Sequence, residues 1–297
     1  MAADTLIEWA KHTFNPWRGC AKISAGCKNC YAENAAPVRI ARSKGLETWG
    51  VGAAREIASE SMWRQPLLWD RKAREAGKRH RVFCASLADV FEDYQGPSAE
   101  AIKAARLRLW ALIEATPHLD WLLLTKRPQN VMGMIPDSWR AEMPRNVWMG
   151  CTVENQEAAE ERILALLEFP SKVRFISQEP QVGAIDWARI EILMSYRYPE
   201  GAYLNALTGH MSHNDRFTPR LVDWIIVGGE SGHNARPFDV AWARKTVEQC
   251  KAAGVPVFVK QLGANPWLDG RPYAIESKKG GEMSELPEDL RLREVPQ

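Results

Sequence analysis

The chain has 297 residues, 45% of them hydrophobic and 26% charged, with 39 basic against 37 acidic side chains for a net charge of +2. That is an ordinary globular composition, long enough for one large α/β barrel or two ordinary domains and too balanced in charge to point to a partner by itself. No run of eighteen apolar residues occurs, and Met1-Ala2-Ala3-Asp4-Thr5 has neither the basic start nor the apolar core of a signal peptide, so a cytoplasmic protein without membrane contact is expected.

Taken in order, residues 6–17 read as a strand closed by Pro16, which delivers the chain to a cysteine-rich loop at 18–31. Tyr31 to Ala36 read as helix, interrupted or restarted by Pro37 before Val38 to Arg42. Gly45, Gly50 and Gly52 then mark an irregular stretch, and a strand is expected somewhere in 43–80. Arg64, Arg71, Lys72, Arg74, Lys78, Arg79 and Arg81 crowd around Trp63 and Trp69. Such a segment suits phosphate contacts and stacking on bases, and equally a solvated helix whose tryptophans face the core.

From residue 81 a rhythm sets in. Short apolar runs begin at Val82, Trp121, Val147, Val173, Trp224 and Val255, which suits strands buried on both faces. Helix signals separate them: Ile102, Ala105, Leu109, Leu112 and Ile113 share a face, Asn155 precedes a second helix, and Asp239 caps a third that stops at Gly254. Alternation of this kind means βαβ units. The fold expected is α/β, a single TIM-like (β/α) barrel, complete or partial, of six to eight parallel strands, over residues 1–265. Residues 188–222, with Tyr196, Tyr198, Tyr203, His210 and His213, interrupt the rhythm as a substrate-covering insertion. Residues 266–297 read as a peripheral tail.

Three of the six cysteines, Cys20, Cys27 and Cys30, fall within eleven residues as C-x6-C-x2-C. A structural zinc site needs four ligands, and the second knuckle is missing, although His12 could complete a set. A disulfide would strand one thiol in a chain with no sign of an oxidising compartment. An iron–sulfur cubane held by three thiolates leaves one iron open. Cys84, Cys151 and Cys250 read first as small core hydrophobes.

The cysteine cluster followed by strand and helix signals resembles the radical SAM superfamily, although the usual spacing there is C-x3-C-x2-C. Asn15 to Cys20, Gly26 to Ala32, Leu124 to Pro128, Ser177 to Pro180 and Val227 to Gly232 are similar to a phage-encoded, radical-SAM-like three-cysteine family of uncharacterised function. The resemblance implies a [4Fe-4S] cluster on Cys20, Cys27 and Cys30 and S-adenosylmethionine on the open iron. The pair would cleave the sulfonium reductively and abstract hydrogen from a substrate. Tyr31 would stack on the adenine, and Ser86, Asp89, Thr152, Glu154, Ser177 and Glu179 would hold the amine and hydroxyls. Glu230 in Gly228-Gly229-Glu230 is similar to an element that binds the S-adenosylmethionine amine, though here it follows a late strand. Lys126, with Arg127 and Lys260, suits a carboxylate or phosphate of the substrate, and Cys84 or Cys151 would return a hydrogen atom.

The phage association points to a DNA base or nucleotide, such as a modified thymine or its amino-acid adduct, in the host cytoplasm. An external donor such as a flavodoxin or ferredoxin would reduce the cluster. Two other readings stand beside this one: a zinc- or cluster-stabilised nucleic-acid-binding protein without catalysis, and a SAM-dependent DNA lesion lyase.

Overall fold

The computed structural model describes residues 5, 7–192, 201–212 and 220–297. Its main sheet has seven strands, β1 (His12–Thr13), β2 (His80–Cys84), β3 (Leu119–Thr125), β4 (Val147–Thr152), β5 (Val173–Gln178), β6 (Trp224–Gly228) and β7 (Val257–Gln261). They lie side by side in chain order, with β1 and β7 at the edges. β1 with β2, β2 with β3, β5 with β6 and β6 with β7 pair in parallel. Every residue of β4, β5 and β6 is buried, as continuous apolar strands require when both sheet faces are covered. The fold is α/β, with a strand count inside the expected range and two sheet edges in place of closure.

The longer helices are α1 (Ala36–Ser43), α2 (Gln65–Glu75), α3 (Ala99–Glu114), α4 (Pro128–Met134), α5 (Gln156–Leu167) and α6 (Val240–Ala253). α1 restarts the chain with Pro37 in its first turn, after a single 3₁₀ turn over Tyr31–Asn34. α3 buries Ile102, Ala105, Leu109, Leu112 and Ile113 together with Trp110. Asn155 caps α5 by accepting from the Ala158 amide at 3.0 Å, and Asp239 caps α6 by accepting from Ala241 at 2.9 Å. Gly254 ends α6 at φ +70°, a conformation that glycine adopts without strain.

Contacts divide the chain into two compact units. The first comprises Met1–Ile23, Cys30–Gly150 and Phe169–Lys172. Here the Phe14 ring meets Trp63 at 5.2 Å and Trp121 at 5.7 Å, and Trp69 stacks on His12 at 4.4 Å. Trp63 and Trp69 are therefore core residues, turned away from any stacking base, while the cations of the same segment are exposed except Arg81, which is part-buried and donates to the Trp9 carbonyl at 2.9 Å. The strand expected in 43–80 is only Glu56–Ile57, which pairs antiparallel with Trp17–Arg18 outside the main sheet.

The second unit comprises Ser24–Asn29, Cys151–Glu168 and Val173–Gln297. Its insertion forms an antiparallel hairpin, Ile190–Ile192 with Ala202–Leu204, that buries Ile190, Ile192, Ala202 and Leu204. Tyr203 lies beneath Arg189, and His210 is exposed, whereas Tyr196, Tyr198 and His213 fall outside the described residues. The segment after Pro266 packs on its own unit. Pro266–Leu268 pairs with Phe238–Asp239 and with Arg271–Pro272, and Leu286 and Leu290 are buried. Its end runs along β7, with the Val259 amide donating to Leu292 at 2.8 Å and the Glu294 amide to Val257 at 3.1 Å. Edge amides need partners, and two leucines four apart supply the apolar anchor. Among the described residues no helix is long and apolar enough to cross a membrane.

Candidate metal centre

The cysteine loop is entered through Gly19, at φ +117°, whose amide donates to Leu87 at 3.0 Å. A Cβ there would stand 2.3 Å from the Thr48 carbonyl oxygen, so the chain passes only because glycine has none. The Cys20 carbonyl accepts from the Gly50 amide at 3.0 Å. Ala21 is held at both ends of its peptide groups: its amide donates to Glu92 Oε1 at 2.9 Å, and its carbonyl accepts from Arg127 Nη2 at 2.8 Å.

Behind that residue lies a buried network of two arginines and two carboxylates. Arg55 grips Glu92 with Nε and Nη2, at 2.9 and 2.8 Å. Asp89 accepts from Arg127 Nη1 at 2.9 Å, Thr125 Oγ1 at 2.8 Å, and the amides of Lys126 and Phe91. Charges this deep persist because each has an opposite partner and its remaining atoms are hydrogen-bonded. Arg127 Nη1 also lies 3.7 Å from the Cys20 sulfur. Burial, then the Asp89 and Glu92 charges, push the Cys20 thiol up to about 12, while Arg127 pulls the other way. A metal would have to displace that proton to bind.

Cys20 and Cys30 both pack against a small apolar cluster of Ala32, Val38 and Trp49, the last two residues brought there by α1 and the chain after it. Tyr31 presents an exposed ring, 53% accessible, tethered by its hydroxyl to the Ser86 carbonyl at 3.1 Å. Asn15 in turn fixes Ser86 and the Leu87 amide.

In the second unit, Ala25–Cys27 make one 3₁₀ turn, with the Cys27 sulfur 3.8 Å from Ser24 Oγ. The Gly26 amide donates to Glu154 Oε1 at 3.0 Å, and a Cβ on Gly26 would meet that carboxylate at 3.0 Å. Arg162 Nη1 holds the other Glu154 oxygen at 2.7 Å. Asn29 Nδ2 donates to Glu230 Oε2 at 3.0 Å and to the Asn234 carbonyl at 2.8 Å. Arg236 chelates Glu230, 2.6 Å at its shortest, and reaches the Ala25 carbonyl at 2.9 Å. Burial pushes Glu230 up, but the hydrogen bonds from Arg236 and Asn29 outweigh it and hold the carboxyl below the usual range.

Three acids that the sequence offered to a cofactor, Asp89, Glu154 and Glu230, thus accept hydrogen bonds from the protein. Glu154 and Glu230 bind the cysteine loop directly, and Asp89 fixes the Arg127 that does so. Of the other candidates, Ser177 Oγ donates to Glu179 at 3.3 Å, and Glu179 pairs with Lys260 at 2.6 Å. Thr152 is buried, its carbonyl taken by Arg162 at 2.7 Å. Cys84 and Cys151 have no exposed surface, and burial pushes the Cys84 thiol up. Lys126 is half-buried, and Cys250 is buried on α6. His12 lies in β1 with its ring 3.1 Å from that of His80. Arg55, Glu92, Arg162 and Arg236 escaped the sequence reading. Their only signal there was charge, which does not name a partner.

None of the six cysteines is joined in a disulfide. Among the described residues no three His, Cys, Asp or Glu side chains are arranged to hold one metal ion. A cubane makes a different demand, since each of its cysteines binds a different iron. No curated protein and no solved structure matches the chain. A family model described as protein of unknown function (DUF5131) matches residues 4–285. A match over nearly the whole length makes this chain a member of the DUF5131 family.

Proposed function

We propose that the protein is a radical SAM enzyme in which Cys20, Cys27 and Cys30 hold a [4Fe-4S] cluster, and that its substrate is a DNA base, a modified thymine or its amino-acid adduct. The observation that carries this reading is the anchoring of the cysteine loop. Each segment between the cysteines is tied by charge-assisted hydrogen bonds to residues at strand ends, Ala21 to Glu92 and Arg127, Gly26 to Glu154, Ala25 to Arg236 and Asn29 to Glu230. A loop that only connected elements would not need five buried or half-buried salt-bridged partners. A loop that must present three thiols in a fixed arrangement does.

The donor set is of the kind such a group takes: three thiols outside any disulfide, glycines where the backbone passes close to its supports, and a cation beside Cys20. The chemistry that the cluster and S-adenosylmethionine supply together is one-electron cleavage of the sulfonium and hydrogen abstraction from the substrate. The chain's own residues bind and orient. Tyr31 offers an exposed ring to the adenine, and its tether to Ser86 fixes the ring plane. Ser177, Glu179 and Thr152 belong to the same class of strand-end polar groups, and Lys126 offers a cation to a substrate phosphate or carboxylate. Cys84 and Cys151 are the candidates to return a hydrogen atom.

Anaerobic reconstitution tests the reading. Four irons and four sulfides per chain, with an electron paramagnetic resonance signal altered by S-adenosylmethionine, are expected. Cys27→Ala should lose both that signal and the formation of 5′-deoxyadenosine while keeping its far-ultraviolet circular dichroism. Stoichiometric zinc without iron, or cleavage that survives in Cys27→Ala, would overturn it.

A further inference from the structure

Arg127 reads in the sequence as a cation for the substrate, but it is 7% exposed and its side chain is spent inside its own unit. It stands between the end of β3 and Pro128 of α4, with its amide donating to Thr125 Oγ1 at 2.9 Å. Nη2 donates to the Ala21 carbonyl at 2.8 Å. Nη1 serves two acceptors, Asp89 Oδ2 at 2.9 Å and the Cys20 sulfur at 3.7 Å. Glu92 makes little claim on this guanidinium. Arg55 grips that carboxylate through Nε and Nη2, while Arg127 Nη2 stays 3.7 Å away from it. The two cations and two carboxylates of the network cancel. A thiolate at Cys20 is then a fifth charge, and the cation touching it is one that Asp89 already shares.

We propose that Arg127 is a positioning residue for the cluster: its Nη1 donates to the Cys20 sulfur and raises the reduction potential, and Asp89 opposes it by drawing on the same nitrogen. The inference rests on the cluster proposed above and names the side chain that tunes it. Reduction adds one negative charge, which a donor on a ligating sulfur stabilises and a neighbouring carboxylate destabilises. Both effects are strong here because the Arg127 and Asp89 side chains are each only 8% exposed, so water screens neither. An ion pair that served stability alone would leave the potential where it is.

The test is an anaerobic redox titration of the reconstituted full-length protein, with the reduced cluster read by electron paramagnetic resonance. Asp89→Asn keeps a side-chain oxygen and removes the competing charge, so the ratio of reduced to oxidised cluster at a fixed potential should rise above that of the wild type. Arg127→Met/Asp89→Asn takes away both partners of the ion pair and so orphans neither. Against Asp89→Asn its ratio should fall roughly tenfold, which for one electron is about 59 mV. Arg127→Lys keeps the charge but not the fork that reaches Ala21, Asp89 and the sulfur together, and its ratio should fall below that of the wild type. Equal ratios in Asp89→Asn and the double variant, both carrying four irons, would overturn the proposal and leave the cluster standing. Should the double variant take up no iron, the wild type against Arg127→Lys decides by the same criterion. A wild type that takes up no iron would defeat the enzymatic reading, and this inference with it.

Discussion

Glu154 is 1% exposed and joins two parts of its unit, with the Gly26 amide on one oxygen and the Arg162 guanidinium on the other. Glu154→Ala leaves that guanidinium buried without its partner, and losses of this kind run to about 3–5 kcal/mol. Urea denaturation should register a drop of that order, while Glu154→Gln, which keeps a hydrogen-bonding oxygen, should lose less. Gly19→Ala belongs with it, because the new methyl group meets the Thr48 carbonyl in a left-handed conformation; a lower midpoint and a protease-sensitive loop are expected. The sequence showed these residues as polar groups after apolar runs. It could not show that Glu154 would turn towards a glycine 128 positions earlier, because the pairing is made by the sheet and leaves no local pattern.

Elements were more legible than partners. Apolar runs located strands β2 to β7, since a strand buried on both faces must be apolar throughout, and that requirement is written into consecutive residues. Caps were readable for the same local reason: the Asp239 and Asn155 side chains each bond an amide within three residues. Asp239→Ala and Asn155→Ala should each cost about 1 kcal/mol, seen as a shift of the urea midpoint with an unchanged slope. The N-terminal strand is only His12–Thr13, flanked by Lys11 and Phe14, whose amides still donate to Arg81 and Phe83 of β2 at 2.9 Å, and the Glu56–Ile57 strand was diverted to Trp17–Arg18. Trp63 and Trp69 mark the limit of composition as a guide. Beside seven cations they fitted an interface as well as a core, and only the rings they touch decide between the two.

For the molecule as a whole, acid is the condition that should separate folded from unfolded most sharply. The Glu230 carboxyl is depressed in the folded state, so the unfolded chain binds its proton first as pH falls. The stabilisation it gives is present above the ordinary glutamate value of about 4.3 and is lost as pH drops through the folded value. Between pH 5 and pH 3 the urea midpoint should fall, and Glu230→Gln should fall less steeply over the same window. An equal slope in the variant would remove Glu230 from the account.

The last dozen residues lie beyond the span matched by the family model, yet their main chain occupies the open side of β7 at Val257 and Val259. Strand edges left bare are templates for other strands. A version shortened at Glu285 should therefore be prone to self-association: soluble when dilute, forming β-rich aggregates with concentration, and growing light-scattering intensity where the full chain stays clear. The terminal segment acts as a built-in guard against polymerisation.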